Sequence, residues 1–541
     1  MWAFIDKTYA DRLAETLVID LAAFAPELLL CLGIVLVMIL RMFRGLARIH
    51  YGIVGLVVLA LAMALAWTQW QGDFAAPQLY AGGLFSGLIA YDYYTLFFRL
   101  LIPLASILVL ALVLVTGVPP REDSADFVLL LLGATLGMVL MTSAQHLLMV
   151  YIAVEMASLP SYGLAGFLKE KRESSEASLK YVVYGGAASG VMLYGISLLA
   201  GRFGTAYLPE LANAFSAAVL ARGTVDHLLL LATLLILIGM AFKLAAVPFH
   251  FWCPDVFEGA SAEVAAFLSV ASKGAALGLV GRFALSFMGG YPGASPLMWN
   301  LDHWRAMLPY LGPALALLAA LTATFGNLAA YAQTNLKRLL AYSTIAHAGY
   351  MLMAVAPLTR EGLEAMLFYL IVYVFMNMGA FAVVAFIRNH IGSEDLKDYS
   401  GLASRAPLLA IVMGIFLLSL VGVPPLFGFV AKYQVFAALY DGWATYQQPG
   451  LLALLVIGLL NTVLSLFYYV KVLKVMVLES PPEGQAGLLP VPLHQVWYAS
   501  LLAAVVGFGM LAWNPLATGT QQGASSFPPL KASQKPIVLR P

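Results

Sequence analysis

Charge is scarce in this sequence. Only 11% of its 541 residues are Asp, Glu, Lys or Arg, whereas a soluble domain carries roughly 25%. Hydrophobic residues fill 62% of the chain, so water is not its main solvent and a membrane class follows before any motif is read. Net charge is only +1, which argues against nucleic acid as a partner, because that needs a basic stripe. Cysteine is almost missing. Cys31 and Cys253 are too few and too far apart for an iron–sulfur cluster or a structural zinc site, so any redox centre belongs to another chain. The N-terminus lacks the basic-then-apolar order of a secretory signal. It carries Asp6, Asp11, Glu15 and Asp20 instead, so the first apolar stretch reads as a retained span.

Long apolar runs are what the chain does have. A helix crossing about 30 Å of hydrocarbon needs about 20 apolar residues. Such runs lie near 21–41, 51–70, 94–117, 126–143, 146–167, 177–200, 227–250, 263–287, 309–332, 338–357, 364–388, 407–440, 451–477 and 495–514. The expectation is an all-α integral membrane protein of about fourteen transmembrane helices. The stretch 407–440 is too long for one simple helix. Pro424, Pro425 and Gly428 lie inside it, so it reads as one broken span. From Pro515 onward the tail has no periodicity, which predicts an extended or disordered segment.

Loop charges agree with this count. Arg41, Arg44 and Arg48 follow span one, and Lys169, Lys171 and Arg172 follow span five. Lys337 and Arg338 follow span nine, Arg388, Lys397 and Arg405 follow span eleven, and Lys471 and Lys474 end span thirteen. All are odd-numbered spans, while the loop at 71–93 has no Lys or Arg. The positive-inside rule then places both termini outside. Arg202 and Arg222, after span six, are exceptions.

A charged side chain at the bilayer centre costs at least ~2.5–3.5 kcal/mol on insertion scales, so each one is informative. Glu155 lies near the middle of span five, Lys243 in span seven, Lys273 in span eight and Lys432 in span twelve. All four are placed about seven or more residues from the expected helix ends, too deep to snorkel easily. Buried ionisable groups of this kind usually line an ion route, although structural ion pairs are the plainer reading. A buried lysine beside a movable carboxylate can hold or lose a proton for a modest free-energy change. Approach of Glu155 favours the charged lysine and its withdrawal expels the proton, a switch that needs no cofactor. Lys180, a few residues into span six, suits snorkelling and function equally, and Glu176 suits a solvated helix start. His347 and His250 suit a proton relay or a helix–helix hydrogen bond. Asn327, Asn377 and Asn461 suit helix-to-helix hydrogen bonds.

Pro248 interrupts span seven near Lys243, and Pro424–Pro425 interrupt span twelve near Lys432. Proline frees a carbonyl inside the membrane, which is tolerated where helices pack or a wet cavity forms. Broken helices in corresponding positions of two halves point to a transport site. Spans four to eight and nine to thirteen form the two halves, and five spans per half make them inverted. The domains expected are three N-terminal spans (1–120), two five-helix repeats (121–290 and 291–480), and a last span with its tail (481–541).

FKLAAVPFHFWCPDVFEGA, AFLSVASKGAALGLVGRF, NLKRLLAYSTIAHAGYM and VGVPPLFGFVAKYQVF resemble signatures of the antiporter-like membrane subunits of respiratory complex I. The resemblance covers roughly residues 120–480. PDVFEGA, a lysine in span eight and a lysine in span twelve resemble the N (or 2) type of these subunits rather than the L or M type. The long C-terminal lateral helix of L is absent, and the tail beyond Ser480 is longer than the resemblance implies. By resemblance, Glu155 and Lys243 form the fifth- and seventh-span pair, with Lys180 near them. Lys273 is the central relay residue, His347 a tenth-span relay and Lys432 the distal lysine. The resemblance implies proton translocation in a bacterial inner-membrane hetero-oligomer with subunit M, the small bundle next to it, and phospholipid as neighbours. NADH, FMN, iron–sulfur clusters and quinone are then expected on partner subunits, with no cofactor in this chain. Three other readings remain open: a subunit of a cation/proton antiporter or membrane-bound hydrogenase complex, a stand-alone solute carrier, and a non-pumping scaffold.

Overall fold

The computed structural model describes residues 17–43, 50–75, 83–222, 225–286, 301–481 and 487–525. Among the described residues the chain is helical, and β pairing is limited to isolated bridges. The first six spans are α1 (Ala25–Met42), α2 (Tyr51–Gln71), α3 (Tyr93–Thr116), α4 (Ser124–Ser143), α5 (Leu147–Ala165) and α6 (Arg172–Phe203). A short helix α7 (Leu208–Arg222) precedes α8 (His227–Leu244) and the half-helix α9 (Trp252–Gly259). The eighth span joins α10 (Ala262–Phe267) to α11 (Lys273–Ser286) through a π-helical turn, Leu268–Ser272. Then follow α12 (Leu301–Ala330), α13 (Leu336–Val355), α14 (Arg360–Ile391), the half-helices α15 (Pro407–Val421) and α16 (Phe427–Tyr446), and α17 (Pro449–Leu478). The last span is α18 (Leu493–Phe508) continuing into α19 (Trp513–Ala524).

Among the described residues twelve helical spans are long and apolar enough to cross a membrane, with α10–α11 and α18–α19 each counted as one. The two expected spans beyond that number are α13 and the broken pair α15–α16. Nearly every side chain of α13 is buried, so protein rather than lipid surrounds its Lys337, His347, Ser343 and Thr344. A helix in that position has no need of a high hydropathy. In the pair α15–α16, the break leaves α15 too short at 15 residues, whereas α16, at 20 residues, carries Lys432 and Asp441 and is too polar.

Both expected breaks are present, and the backbone groups they free find partners, as a low-dielectric surrounding demands. After α8 the chain turns at Ala245, in the left-handed region at φ 58°. The indole Nε1 of Trp252 donates to the Phe242 carbonyl (3.0 Å), and the Val247 amide donates to Thr322 Oγ1 (3.1 Å). After α15 the turn is Gly422, at φ 89°. There the Gly428 amide donates to Ser419 Oγ (3.0 Å) and Lys432 Nζ to the Val421 carbonyl (2.9 Å).

Local pairings recur at the repeat spacing. The most extensively packed neighbours are α4 with α5 and α12 with α13, the first two spans of each half. Each pair closes on a glycine. A methyl group on Gly137 would strike the Ala157 backbone, and one on Gly326 would lie 2.6 Å from the Ala346 nitrogen. The residue before α5, His146, bridges to Tyr207 after α6, and the residue before α13, Asn335, bridges to Asp395 after α14. The expected boundary at 290/291 lies outside the described residues.

One expectation needs correction. The tail is not extended from Pro515, because 513–524 form α19. Its small residues Gly523 and Ala524 are buried, Gly523 against Phe97 and Leu367, and Trp513 packs on Phe368 at 5.2 Å between ring centroids. Tertiary packing holds this helix where intrinsic propensity is weak. Several of the odd-loop cations are partnered within the fold. Lys337 is buried against Glu394 (2.8 Å), Arg338 pairs with Asp255 (2.7 Å) and Glu258 (2.6 Å), and Arg388 pairs with the fully buried Glu263 (3.0 Å). Arg41 pairs with Asp126. Arg44 and Arg48 lie outside the described residues.

Candidate functional site

Lys243 and Lys432 do not sit in mid-helix as the apolar runs suggest. Each adjoins a break: Lys243 is the penultimate residue of α8 and Lys432 lies in the second turn of α16. Both are buried, as is Lys273. Lys243 Nζ donates to Ser158 Oγ (2.9 Å) on α5. Ser158 stands one turn from Glu155, and the Glu155 carboxylate acts electrostatically on Lys243. No ion pair joins the two, and Glu155 Oε1 is buried without a hydrogen-bond partner. The carboxylate and the ammonium are thus adjacent but disengaged.

Lys180 is not joined to that pair either. Its Nζ bonds Asp255 (2.8 Å) and Glu176 (2.9 Å) at a partly exposed position. Glu176 is therefore more than a solvated helix start. Asp255 in turn takes Arg338 from α13, so one carboxylate on α9 links a cation of each half.

Lys273 occupies the centre. It is the first residue after the π turn, its Nζ has no hydrogen-bond partner, and it lies 5.9 Å from the Phe257 ring centroid and beside the Cys253 thiol. π segments inside α-helices often mark functional positions. The turn is held by Asn377, whose Nδ2 donates to Ser269 Oγ (2.6 Å). His347 lies within electrostatic range of both Lys273 and Lys432. Its Nδ1 meets Tyr369 Oη at 2.7 Å and its Nε2 meets Tyr469 Oη at 3.2 Å. Beyond it, Lys432 Nζ sits 4.4 Å from the Tyr350 ring centroid, a favourable place for a desolvated cation. Lys243, Lys273, His347 and Lys432 therefore form a buried row, with the half-buried Glu155 beside Lys243 and Lys180 in an ion cluster at its flank. His250 is buried between the rings of Phe251 and Phe325, at 4.5 and 4.6 Å. Asn327 bonds Asn461 Oδ1 across α12 and α17 (3.0 Å), the helix-joining role expected of it.

Two buried ion pairs went unforeseen. Arg282 on α11 clasps Asp92 at the start of α3 through Nη1 (3.0 Å) and Nη2 (2.9 Å). Arg99 on α3 holds Glu27 (2.7 Å) and Gln69 (2.9 Å), tying the N-terminal helices together. Arg99 and Arg282 interrupt apolar runs, which was a usable signal; their partners are distant in sequence and carry none. Among the described residues no cluster of His, Cys, Asp or Glu could hold a metal ion.

Residues 144–465 match the family described as NADH:quinone oxidoreductase/Mrp antiporter, transmembrane. The chain belongs to this family. It is 40% identical over 522 residues to the NADH-quinone oxidoreductase subunit N of Anaeromyxobacter sp. (strain Fw109-5), covering 93% of this chain and 96% of that protein. It resembles a chain of respiratory complex I from Thermus thermophilus with a TM-score of 0.68 and 32% identity, covering 91% of this chain and all of that one. A chain of the Mrp complex from Dietzia sp. superposes with a TM-score of 0.75 at 22% identity, covering 93% of this chain and 97% of that one.

Fold does not separate the two branches of the NADH:quinone oxidoreductase/Mrp family, since the Mrp chain superposes at least as well. Sequence does, because the full-length identity lies on the oxidoreductase side. The family resemblance expected from the four signature stretches is borne out, as is the all-helical membrane fold. The matched region contains all six candidate relay residues, Glu155, Lys180, Lys243, Lys273, His347 and Lys432, and both breaks.

Proposed function

We propose that this chain is the N-type membrane subunit of an NADH:quinone oxidoreductase, a translocase component that moves protons while electrons pass from NADH to quinone on other subunits. The observation that carries this reading is identity of 40% along nearly the whole length of a protein named as that subunit. The buried row supports it. A cation taken out of water is retained at such cost only where it is paired or used, and Lys243, Lys273 and Lys432 have no carboxylate within ion-pair distance. Protons load from the inner side, pass along Glu155, Lys243, Lys273, His347 and Lys432, and leave on the outer side. Lys180 acts at the flank, through Asp255.

In this reading the chain itself holds no cofactor. NADH, FMN, iron–sulfur clusters and quinone reside on partner subunits, which fits two cysteines standing 222 positions apart (31 and 253). The immediate neighbours are an M-type antiporter-like subunit and the small helical bundle beside it, with phospholipid around them. The location is the bacterial cytoplasmic membrane, with both termini on the outer side and the chain organised as two inverted five-helix repeats between terminal additions.

Lys432→Ala in the assembled complex tests the relay. Expected is a sharp fall in protons moved per NADH oxidised, measured in membrane vesicles. Normal stoichiometry in that variant would sink the relay. A cation/proton antiporter assembly rests on likeness of fold alone, and mass spectrometry of subunits co-purified in mild detergent separates it from the oxidoreductase.

A further inference from the structure

The row leaves an unfilled interval between Lys243, at the break of the first half, and Lys273, at the centre. Three helical segments place four hydroxyls in that interval. Ser158 on α5 already bonds Lys243 Nζ (2.9 Å). One turn further along α5, the Tyr162 hydroxyl faces Ser158 and the Glu155 carboxylate. The Tyr162 ring meets the Tyr181 ring of α6 edge-on, 4.6 Å between centroids at 77°. The Tyr181 hydroxyl faces Ser272, the last residue of the π turn and the neighbour of Lys273.

Tyr162 Oη, Tyr181 Oη, Ser272 Oγ and Lys273 Nζ are all buried polar atoms without a hydrogen-bond partner. Buried polar groups are ordinarily satisfied, and each exception asks for an explanation. Here three of the exceptions are hydroxyls between Lys243 and the fourth, Lys273. Internal solvent touching several of them would complete their bonds, since such waters gather where two to four polar groups converge. The rings themselves are not loose. Tyr181 is stacked on Trp252 at 4.3 Å and 6°, and the Trp252 indole is fastened to the Phe242 carbonyl beside Lys243. The break that adjoins Lys243 thus also fixes the phenol next to it.

We propose that the hydroxyls of Ser158, Tyr162, Tyr181 and Ser272 carry protons between Lys243 and Lys273, with Tyr181 as the central carrier. The proposal rests on the relay reading above and deepens it. In each transfer an N–H bond of the donor ammonium breaks and its proton bonds to the first oxygen. Every oxygen in the line accepts one proton and gives up the one it held. The last proton bonds to the neutral amine of the receiving lysine. One N–H is lost and one is formed, and no phenolate remains.

Tyr181→Phe removes one oxygen and keeps both ring contacts. It is to be compared with Ser272→Ala, Tyr162→Phe, Lys243→Ala and the parent in the assembled complex, with assembly checked on native gels. Protons moved per NADH, coupled turnover and the solvent deuterium isotope effect are the readouts. Expected for Tyr181→Phe is coupled turnover slower by at least about tenfold, with a larger isotope effect and fewer protons moved per NADH. The Tyr181→Phe/Ser272→Ala double variant should be no worse than the poorer single variant, because both interrupt one line. Parent-like stoichiometry and isotope effect in Tyr181→Phe and Ser272→Ala, beside a failing Lys243→Ala, overturn the hydroxyl line and spare the relay. Parent-like pumping in Lys243→Ala overturns the relay and the hydroxyl line with it. If Tyr181→Phe does not assemble, Ser272→Ala and Tyr162→Phe decide by the same readouts.

Discussion

Replacing Asp92 by Asn perturbs one group that fastens the central helix to the N-terminal part of the molecule. Asp92 and Arg282 are both buried, and their side chains meet through two nearly equal hydrogen bonds of 2.9 and 3.0 Å. Asn at position 92 keeps the shape and an oxygen able to accept the Thr95 amide, which Asp92 now caps at 2.8 Å. It removes the charge and leaves a guanidinium unpaired in the interior. Breaking a buried pair in this way costs about 3–5 kcal/mol. Arg282 keeps Thr95 Oγ1 (2.9 Å), the Thr142 carbonyl (2.6 Å) and the face of Tyr94 (4.9 Å), so the lower end, about 3 kcal/mol, is expected. That is more than a hundredfold in the unfolding equilibrium at about 1.4 kcal/mol per factor of ten. Unfolding of the detergent-solubilised chain by SDS, followed by tryptophan fluorescence, reads it directly. Asp92→Asn with Arg282→Met removes the stranded charge and should recover at least half of the loss. A loss below about 1 kcal/mol in the single variant, or a double variant less stable than the single, would refute the view that the pair is a tightly engaged buried clasp.

Gly428 begins α16 against the Ser419 carbonyl, where a methyl group would collide with backbone. Gly428→Ala should therefore destabilise the second break by about 1–3 kcal/mol, seen in the same SDS titration; an unchanged midpoint would show that the break is not tightly packed. His50 and His146 cap α2 and α5 through Nδ1, accepting from the Gly52 amide (3.1 Å) and the Leu148 amide (3.2 Å). Burial holds both imidazoles below the ordinary histidine pKa, and at His50 the Arg121 guanidinium adds to the effect. With the folded pKa depressed, the unfolded state takes up its proton first as pH falls. The cap contribution is thus full above about pH 6.5 and is lost progressively below it. Hydrogen exchange at Gly52 and Leu148, corrected for intrinsic rates, should be faster at about pH 5 than at about pH 7.5, and equal protection at both values would count against the caps.

The spans were legible because a membrane helix announces itself through length and composition. Every expected run overlaps a helix or a broken helix, and most ends agree within a few residues, although α12 begins at Leu301 and the last span continues to Ala524. The breaks were legible for a different reason: proline cannot donate and glycine tolerates positive φ, and both are local facts. The buried lysines were legible as the few charges within apolar runs. What could not be read was pairing across distance. Asp92 stands 190 residues from Arg282 and Glu27 stands 72 from Arg99, and nothing in either neighbourhood names the partner. Lys337 read as a loop cation because its sequence neighbours are polar, yet Glu394 and the Ala260 carbonyl (2.6 Å) bury it. The π turn before Lys273 has no sequence signature at all. It depends on Asn377, more than a hundred positions away, reaching Ser269.

The two breaks share a place in the repeat but divide their work differently. At the first, the Phe242 carbonyl accepts both the Ala245 amide (2.9 Å) and the Trp252 indole (3.0 Å), which has no proton to exchange near neutral pH. Lys243 is thereby left to a hydroxyl, Ser158, which accepts from it (2.9 Å), donates to the Val154 carbonyl (2.6 Å) and can rotate to another acceptor. At the second, no indole is present and Lys432 takes the Val421 carbonyl itself. A carbonyl only accepts, so it favours the ammonium form and offers no onward path for its proton. If Lys432 is the distal carrier, release of a proton there requires the ammonium to leave Val421, and that motion couples its charge to the geometry of the α15–α16 turn. Lys243 can change partners without disturbing its break. On this asymmetry the second break is the one whose shape should respond to the charge of its lysine, while the first should hold still whether Lys243 is charged or neutral.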